Sequence, residues 1–242
     1  MYDIHCHLIP SIDDGARDMD EAISLLKIAE NDGITHIVLT PHIHLGKFNN
    51  NIDDIFTNFF SLKQKAADAN LRLNLAFAAE VRIDAELITL FQHGKIPFIG
   101  NSLDKKVVLL ELPHSNYPQG ADNLIKWMIS NNILPLIAHP ERNRDIQKNT
   151  DLILKLKRLG CLLQVTAGSI VGDFGEKPKQ IASFMLENKL ADIVASDAHN
   201  LKRRPPILSK AFKEVCDKYT AEYAENLFIN TPKLLTKNLF IC

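Results

Sequence analysis

Short runs of apolar, often β-branched residues recur along the chain, each followed by a stretch whose apolar positions have helical spacing. The runs are DIH at 3–5, ITHIVLT at 34–40, LRLNLAFAAE at 71–80, KVVLLEL at 106–112, ILPLIAHP at 133–140, CLLQVTA at 161–167 and DIVASDAH at 192–199. They are apolar almost throughout, which is the pattern of strands buried on both faces of a parallel sheet. The clearest helical stretch is DMDEAISLLKIAENDG at 18–33. Asp18, with Glu21 three residues later, predicts its start, and Gly33 its end. Strands alternating with helices predict an α/β protein. The expected architecture is a distorted seven-stranded (β/α) barrel, one strand short of the common eight, with a doubly wound open sheet as the competing arrangement. No repeat, low-complexity segment or Pro/Gly/Ser linker divides the chain, so residues 1–242 read as a single domain. The stretch after residue 206, apolar and helix-like, is expected either to pack on the barrel or to serve an interface.

The polar residues change this picture. In β/α barrels, chemistry collects at the C-terminal ends of the strands. The first run ends in His5 and His7, the second in His42, the third in Glu80, the fourth in Glu111, the fifth in His139 and the seventh in Asp197 and His199. Only the sixth, ending in Thr166, offers no obvious ligand. Residues two apart in a strand point to the same side, so His5 and His7 are placed as a pair. Imidazole nitrogens and carboxylate oxygens suit Mn, Fe(II) and Zn. With Asp14 in the loop after the first run, the donors exceed what one four-coordinate ion needs, so two or three divalent ions are expected. Such a cluster can hold a hydroxide and clamp phosphoryl oxygens. Arg142, in AHPER, and Arg204, in RRPP, lie where they can serve the remaining phosphate oxygens.

Bulk properties exclude several alternatives. The chain has 242 residues, 46% of them hydrophobic and 24% charged, with a net charge of −1. Without a basic stripe, counterion-driven nucleic-acid binding is not indicated. No run approaches the length of a membrane span, and no signal peptide is visible. Cys6, Cys161, Cys216 and Cys242 lack CxxC or zinc-knuckle spacing. A reduced, cytoplasmic protein is therefore expected.

Taken together, D-x-H-x-H, T-P-H, Glu80, A-H-P-E-R and S-D-A-H resemble the PHP superfamily, named for polymerase and histidinol phosphatase domains. The resemblance extends from residue 3 to about residue 206. Within it, D-I-H-C-H-L-I-P-S-I-D-D-G-A resembles the bacterial protein-tyrosine phosphatases found with capsule and exopolysaccharide genes, departing mildly at Ile9 and Ser11. The resemblance implies a distorted seven-stranded barrel with a trinuclear site, Mn being the expected metal and Fe or Zn the alternatives. One ion would be held by His5, His7, Glu80 and Asp197, a second by Asp14, His42 and His199, and a third by Glu80, Glu111 and His139. Arg142 and Arg204 match the phosphate-binding arginines. It further implies action on the tyrosine-phosphorylated tail of a bacterial tyrosine kinase that controls polysaccharide export.

The remaining residues are read more plainly. Cys6 points away from its histidine neighbours and is expected to be a small core residue, since no arginine follows it at the C-x5-R spacing of a cysteine phosphatase. His36 is expected to be a packed, hydrogen-bonded core histidine, and His93 a helix C-terminal residue. His44 and His114 line the mouth or sit in solvated loops. Asp13 is expected to orient the Asp14 loop, and Glu141 to lie behind the ligands or at the surface. The expected reaction is attack by metal-bound hydroxide on a phosphotyrosine, in one step and with inversion. The rivals are a small-molecule phosphatase such as one for histidinol phosphate, an exonuclease, and a non-catalytic binding protein stabilised by metal.

Overall fold

In the computed structural model, which describes residues 1–240, the predicted strand lines are present but are broken differently from expectation. Cys242 lies outside the described residues. The strands are β1 (Tyr2–Asp3), β2 (His36–Leu39), β3 (His42–Ile43), β4 (Asn74–Phe77), β5 (Glu80–Arg82), β6 (Gly100–Ser102), β7 (Lys105–Glu111), β8 (Ile133–Ala138), β9 (Leu162–Thr166) and β10 (Ile193–Ala195). One sheet has the order β1-β2-β4; the other runs β10-β9-β8-β7-β5-β3, with β6 antiparallel on β7. All other pairings are parallel. The protein is therefore α/β with parallel sheets, but no continuous ladder closes a barrel, and the described strands do not number seven. The chain passes from the first sheet to the second just after the second run, between β2 and β3, and at the end of the third, between β4 and β5. Pro41, which has no N–H to give to a ladder, falls at the first of these breaks. The backbone continues across it through Ala78 N–H to Leu39 O and Glu80 N–H to Pro41 O, at 2.9 and 3.1 Å.

At the other edge, Asp197 N–H donates to His5 O and His7 N–H to Ala198 O, each at 2.8 Å, with Cys6 and Ala198 forming a single parallel bridge. These few bonds bring the end of the first run beside the end of the seventh. The helix predicted at 18–33 spans Met19–Asn31, capped by Asp18, whose Oδ1 accepts the Glu21 N–H at 2.8 Å. The segment after residue 206 packs on the barrel-like body. Ile229, Leu235, Leu239 and Phe240 lie against Tyr2, Ile4, Val38, Ile99 and Val107, so this segment covers the face opposite the polar strand ends. There His36 stacks on Tyr2 with ring centroids 4.1 Å apart and bonds Thr35 Oγ1 at 3.0 Å. It is half-buried at the start of β2, which corrects its placement in the core.

Candidate metal centre

At the carboxyl ends of the strands, the nine predicted metal-ligating residues and both arginines come together, and all but the fully buried His5 and His7 line one cavity of about 170 Å³. Among the described residues, three groups of donors have atoms within 4.8 Å of one another: His5, His7, Glu80 and Asp197; His7, Asp14, His42 and His199; and His42, Glu80 and Glu111. The first equals the set that the resemblance implied, and the second adds His7. The third holds His42 where His139 was expected. His139 instead places Nε2 2.9 Å from Glu80 Oε1 and 3.9 Å from Asp197 Oδ2. Glu80 is common to two groups and touches His139 as well, so its carboxylate would be shared between ions held by those groups. Its Oε2 lies 3.3 Å from His5 Nε2, 3.2 Å from His7 Nε2 and 3.1 Å from His42 Nδ1.

Whether this set suits metal ions can be judged from its polar atoms. Glu80 Oε2, Asp197 Oδ1 and His42 Nδ1 are buried with no hydrogen-bond partner. His5 and His7 direct their Nε2 atoms at each other, 3.3 Å apart. Buried polar groups are otherwise paired, so converging orphans of this kind fit cations in their midst. The backbone carries strain in the same place. His139 and Asp197 adopt left-handed conformations, with φ of 33° and 52°, which non-glycine residues take at a cost and which cluster at functional sites.

The titration behaviour follows the crowding of charge. Burial and the neighbouring Glu80 carboxylate push Glu111 up to about 7. Burial, with Arg142 nearby, brings His139 down to about 3. Burial opposes charge on His7, yet Asp13 and the carboxylates around it carry its pKa well above the ordinary value. Asp197 is likewise buried, but Arg204, His5 and Arg142 hold it well below the usual carboxylate range. A divalent ion would supply positive charge to these carboxylates and compete with protons for the imidazole nitrogens.

Three of the candidate ligands, His5, His7 and His199, are held from behind. His5 Nδ1 meets Gln164 Oε1 at 2.8 Å, and His7 Nδ1 meets Asp13 Oδ2 at 2.7 Å. Asp13 also accepts His42 N–H at 3.0 Å and Gly15 N–H at 2.9 Å, so it joins three parts of the site and does orient the Asp14 loop. His199 Nδ1 lies 3.0 Å from the Asp197 carbonyl. Glu141 is fully buried, which removes the surface alternative; its Oε1 accepts from Thr166 N–H at 2.9 Å and Ser169 Oγ at 2.8 Å. The sixth run, now β9, thus contributes Gln164, two residues before Thr166, as a support to His5.

Arg142 Nη1 and Arg204 Nη2 both contact Asp197 Oδ2. A third arginine was not anticipated. Arg82 lines the cavity, with Nη1 2.8 Å from Glu111 Oε2 but outside hydrogen-bonding geometry. The signal for it was present: Arg82 stands two residues after Glu80, on the same side of the strand, and pairs in register with Glu111. His44, Lys47 and His114 line the mouth, and His114 stacks on His139 with centroids 5.6 Å apart. Cys6 is fully buried, and its thiol donates to the Val38 carbonyl at 3.8 Å. Burial raises its pKa well above the ordinary value, leaving it an unreactive core residue. His93 caps its short helix, with Nδ1 2.8 Å from Thr89 O.

A parallel α/β body with a cluster of imidazoles, carboxylates and arginines at its strand ends defines a metal-dependent hydrolase class. The family described as capsular polysaccharide synthesis, CpsB/CapC, matches residues 1–237, and this chain belongs to that family. It is 36% identical over 241 residues to CapC of Staphylococcus aureus, covering 98% of this chain and 92% of that one. It is 34% identical over 204 residues to the tyrosine-protein phosphatase YwqE of Bacillus subtilis, covering 84% and 79%. Among solved structures, one from the crystallography of YwqE and of CpsB from Streptococcus pneumoniae, described as unique metal-dependent tyrosine phosphatases, matches with a TM-score of 0.90. There the identity is 31%, over 100% of this chain and 96% of the other. A phosphotriesterase homology protein from Escherichia coli, 12% identical with a TM-score of 0.60 over 97% of this chain and 98% of its own, shares the fold alone.

Proposed function

We propose that this chain is a metal-dependent protein-tyrosine phosphatase. It is read as one phosphatase domain over residues 1–242, a distorted barrel of PHP type acting in the cytoplasm on the phosphorylated tyrosine tail of a kinase in capsule or exopolysaccharide synthesis. The carrying observation is one cluster of nine metal-type donors, seven of them and two arginines lining a single cavity, in a chain of the CpsB/CapC family. We assign His5, His7, Glu80 and Asp197 to one ion, Asp14, His42 and His199 to a second, and Glu80, Glu111 and either His139 or His42 to a third, with Mn as the preferred metal. When bound, such ions supply hydroxide at neutral pH and charge against the phosphoryl oxygens.

The protein's own residues do the rest. Arg142 and Arg204, both directed at Asp197, stand where phosphoryl oxygens would exchange for its carboxylate, and their donors neutralise charge that grows in displacement. The tyrosyl leaving group, with a pKa of about 10, departs without strong help from an acid. Cys6 is walled off, so no thiol competes as nucleophile and a single displacement with inversion at phosphorus is expected. The test is to strip the protein with chelator, restore Mn, and compare kcat/KM for a phosphotyrosyl peptide and for histidinol phosphate. Metal-dependent turnover that favours the peptide supports the reading. Preference for histidinol phosphate would move the assignment to small metabolites, and no turnover with Mn, Fe or Zn would remove it.

A further inference from the structure

Phe174 is an aromatic side chain that the metal cluster does not explain. It lies in the turn between the helices Ala167–Val171 and Glu176–Glu187. The Arg142 guanidinium carbon stands 4.6 Å from the centre of its ring and that of Arg204 5.7 Å, so one ring serves both arginines. Neither guanidinium is free in solvent: the two side chains are 12% and 21% exposed. Arg204 Nε is buried without a hydrogen-bond partner, which leaves Asp197 and the ring to set the place of this group. The ring in turn is seated against Gly168. A Cβ at that position would come within 2.8 Å of Phe174 Cε2, so the glycine leaves the space the ring occupies. Arg142 follows β8 and Arg204 follows β10, on separate loops with no backbone hydrogen bond joining them. Phe174 therefore supplies a common surface to two cations that a single phosphoryl group must meet together.

We propose that Phe174 is a positioning residue for the phosphoryl clamp: cradled by Gly168, its ring holds Arg142 and Arg204 side by side. This rests on the reading of those arginines as phosphoryl-binding. Cation–π attraction of partly desolvated arginines is large enough to matter, and it needs an aromatic face, not merely an apolar one. A purely structural filler would be replaced well by leucine; a cation–π platform would be replaced well only by another aromatic ring.

The test uses the full Mn-loaded chain, with orthophosphate binding measured by calorimetry and steady-state kinetics on a phosphotyrosyl peptide. F174L is expected to raise the orthophosphate Kd and the peptide KM by about five- to tenfold, with a smaller change in kcat and an unchanged Mn requirement. F174Y is expected to restore both constants to within about twofold of the parent. G168A reaches the same ring from behind. Alanine is favoured over glycine in a helix, so the same rise in Kd would arise from displacement of the ring and not from a weakened helix. Unchanged constants in F174L, or equal impairment in F174L and F174Y, would overturn the proposal. R142A and R204A separate the two levels. If they leave orthophosphate binding unchanged, the reading of the arginines itself fails; if they weaken it while F174L does not, only the role of Phe174 fails.

Discussion

Asp13 joins three parts of the site without lining the cavity itself. Through His7 Nδ1, the His42 N–H and the Gly15 N–H it ties the first strand end, the second strand end and the Asp14 loop to one buried carboxylate. Partners of this kind fix the tautomer and direction of a ligating imidazole, and their loss commonly weakens metal binding by about 10–100-fold. D13A is therefore expected to raise the Mn concentration for half-maximal activity by about that factor, with circular dichroism unchanged. An unchanged Mn titration would show that His7 keeps its orientation without Asp13. At this scale the sequence was informative about side chains that meet the cavity directly, because each sits at a strand end and is of ligand type. It was silent about Gln164 and gave only a faint sign of Arg82. Supporting residues are chosen by distance across the fold, and Gln164 is 159 residues from the His5 it holds.

The elements show where apolar pattern misleads. The run at 34–40 is followed two residues on by a strand of the other sheet, and the run at 71–80 ends on one, because side-chain burial continues past the point where the ladder changes sheet. β6 escaped notice altogether, since Gly-Asn-Ser carries no apolar signal and is a strand only because β7 pairs with it. Its first residue is also a tight contact. Gly100 has φ of 151°, and a Cβ there would stand 1.9 Å from the Leu235 carbonyl oxygen. G100A is thus expected to prise the C-terminal helical segment from β6 and cost about 2 kcal/mol or more, a fall in Tm of about 4–8 °C in a chain of this size. Because that segment lies on the face away from the metal centre, kcat/KM at 25 °C should hold. A lost activity with an unchanged Tm would contradict this division between the two faces.

For the whole molecule, stability and the site are linked through charge. The carboxylates of Glu80, Glu111 and Asp197 are buried together among histidines, an arrangement that costs free energy unless cations compensate it. Mn at about one hundred times its Kd is expected to stabilise the fold by about 2.7 kcal/mol, raising Tm by roughly 5–10 °C over the chelator-treated protein. Equal melting temperatures with and without Mn would argue against the ligand assignment. Among the described residues no helix is long and apolar enough to cross a membrane.

The sequence by itself determined the alternation of strands and helices, the identity of the residues at the strand ends and the likeness to one family of phosphatases. These follow from local pattern: period, capping residues, and the placing of ligand-type side chains at the ends of apolar runs. The tertiary structure alone decided how the ladder divides into two sheets and which imidazole stands beside which carboxylate. It also decided that Gln164 and Phe174 support groups brought to them by the fold, and that Asp13, expected to orient the Asp14 loop, holds His7 and His42 as well. Hydrogen bonds, ring contacts and shared ions depend on distances between segments far apart in the chain, and those distances are set only once the strands have paired and the helices have packed over them.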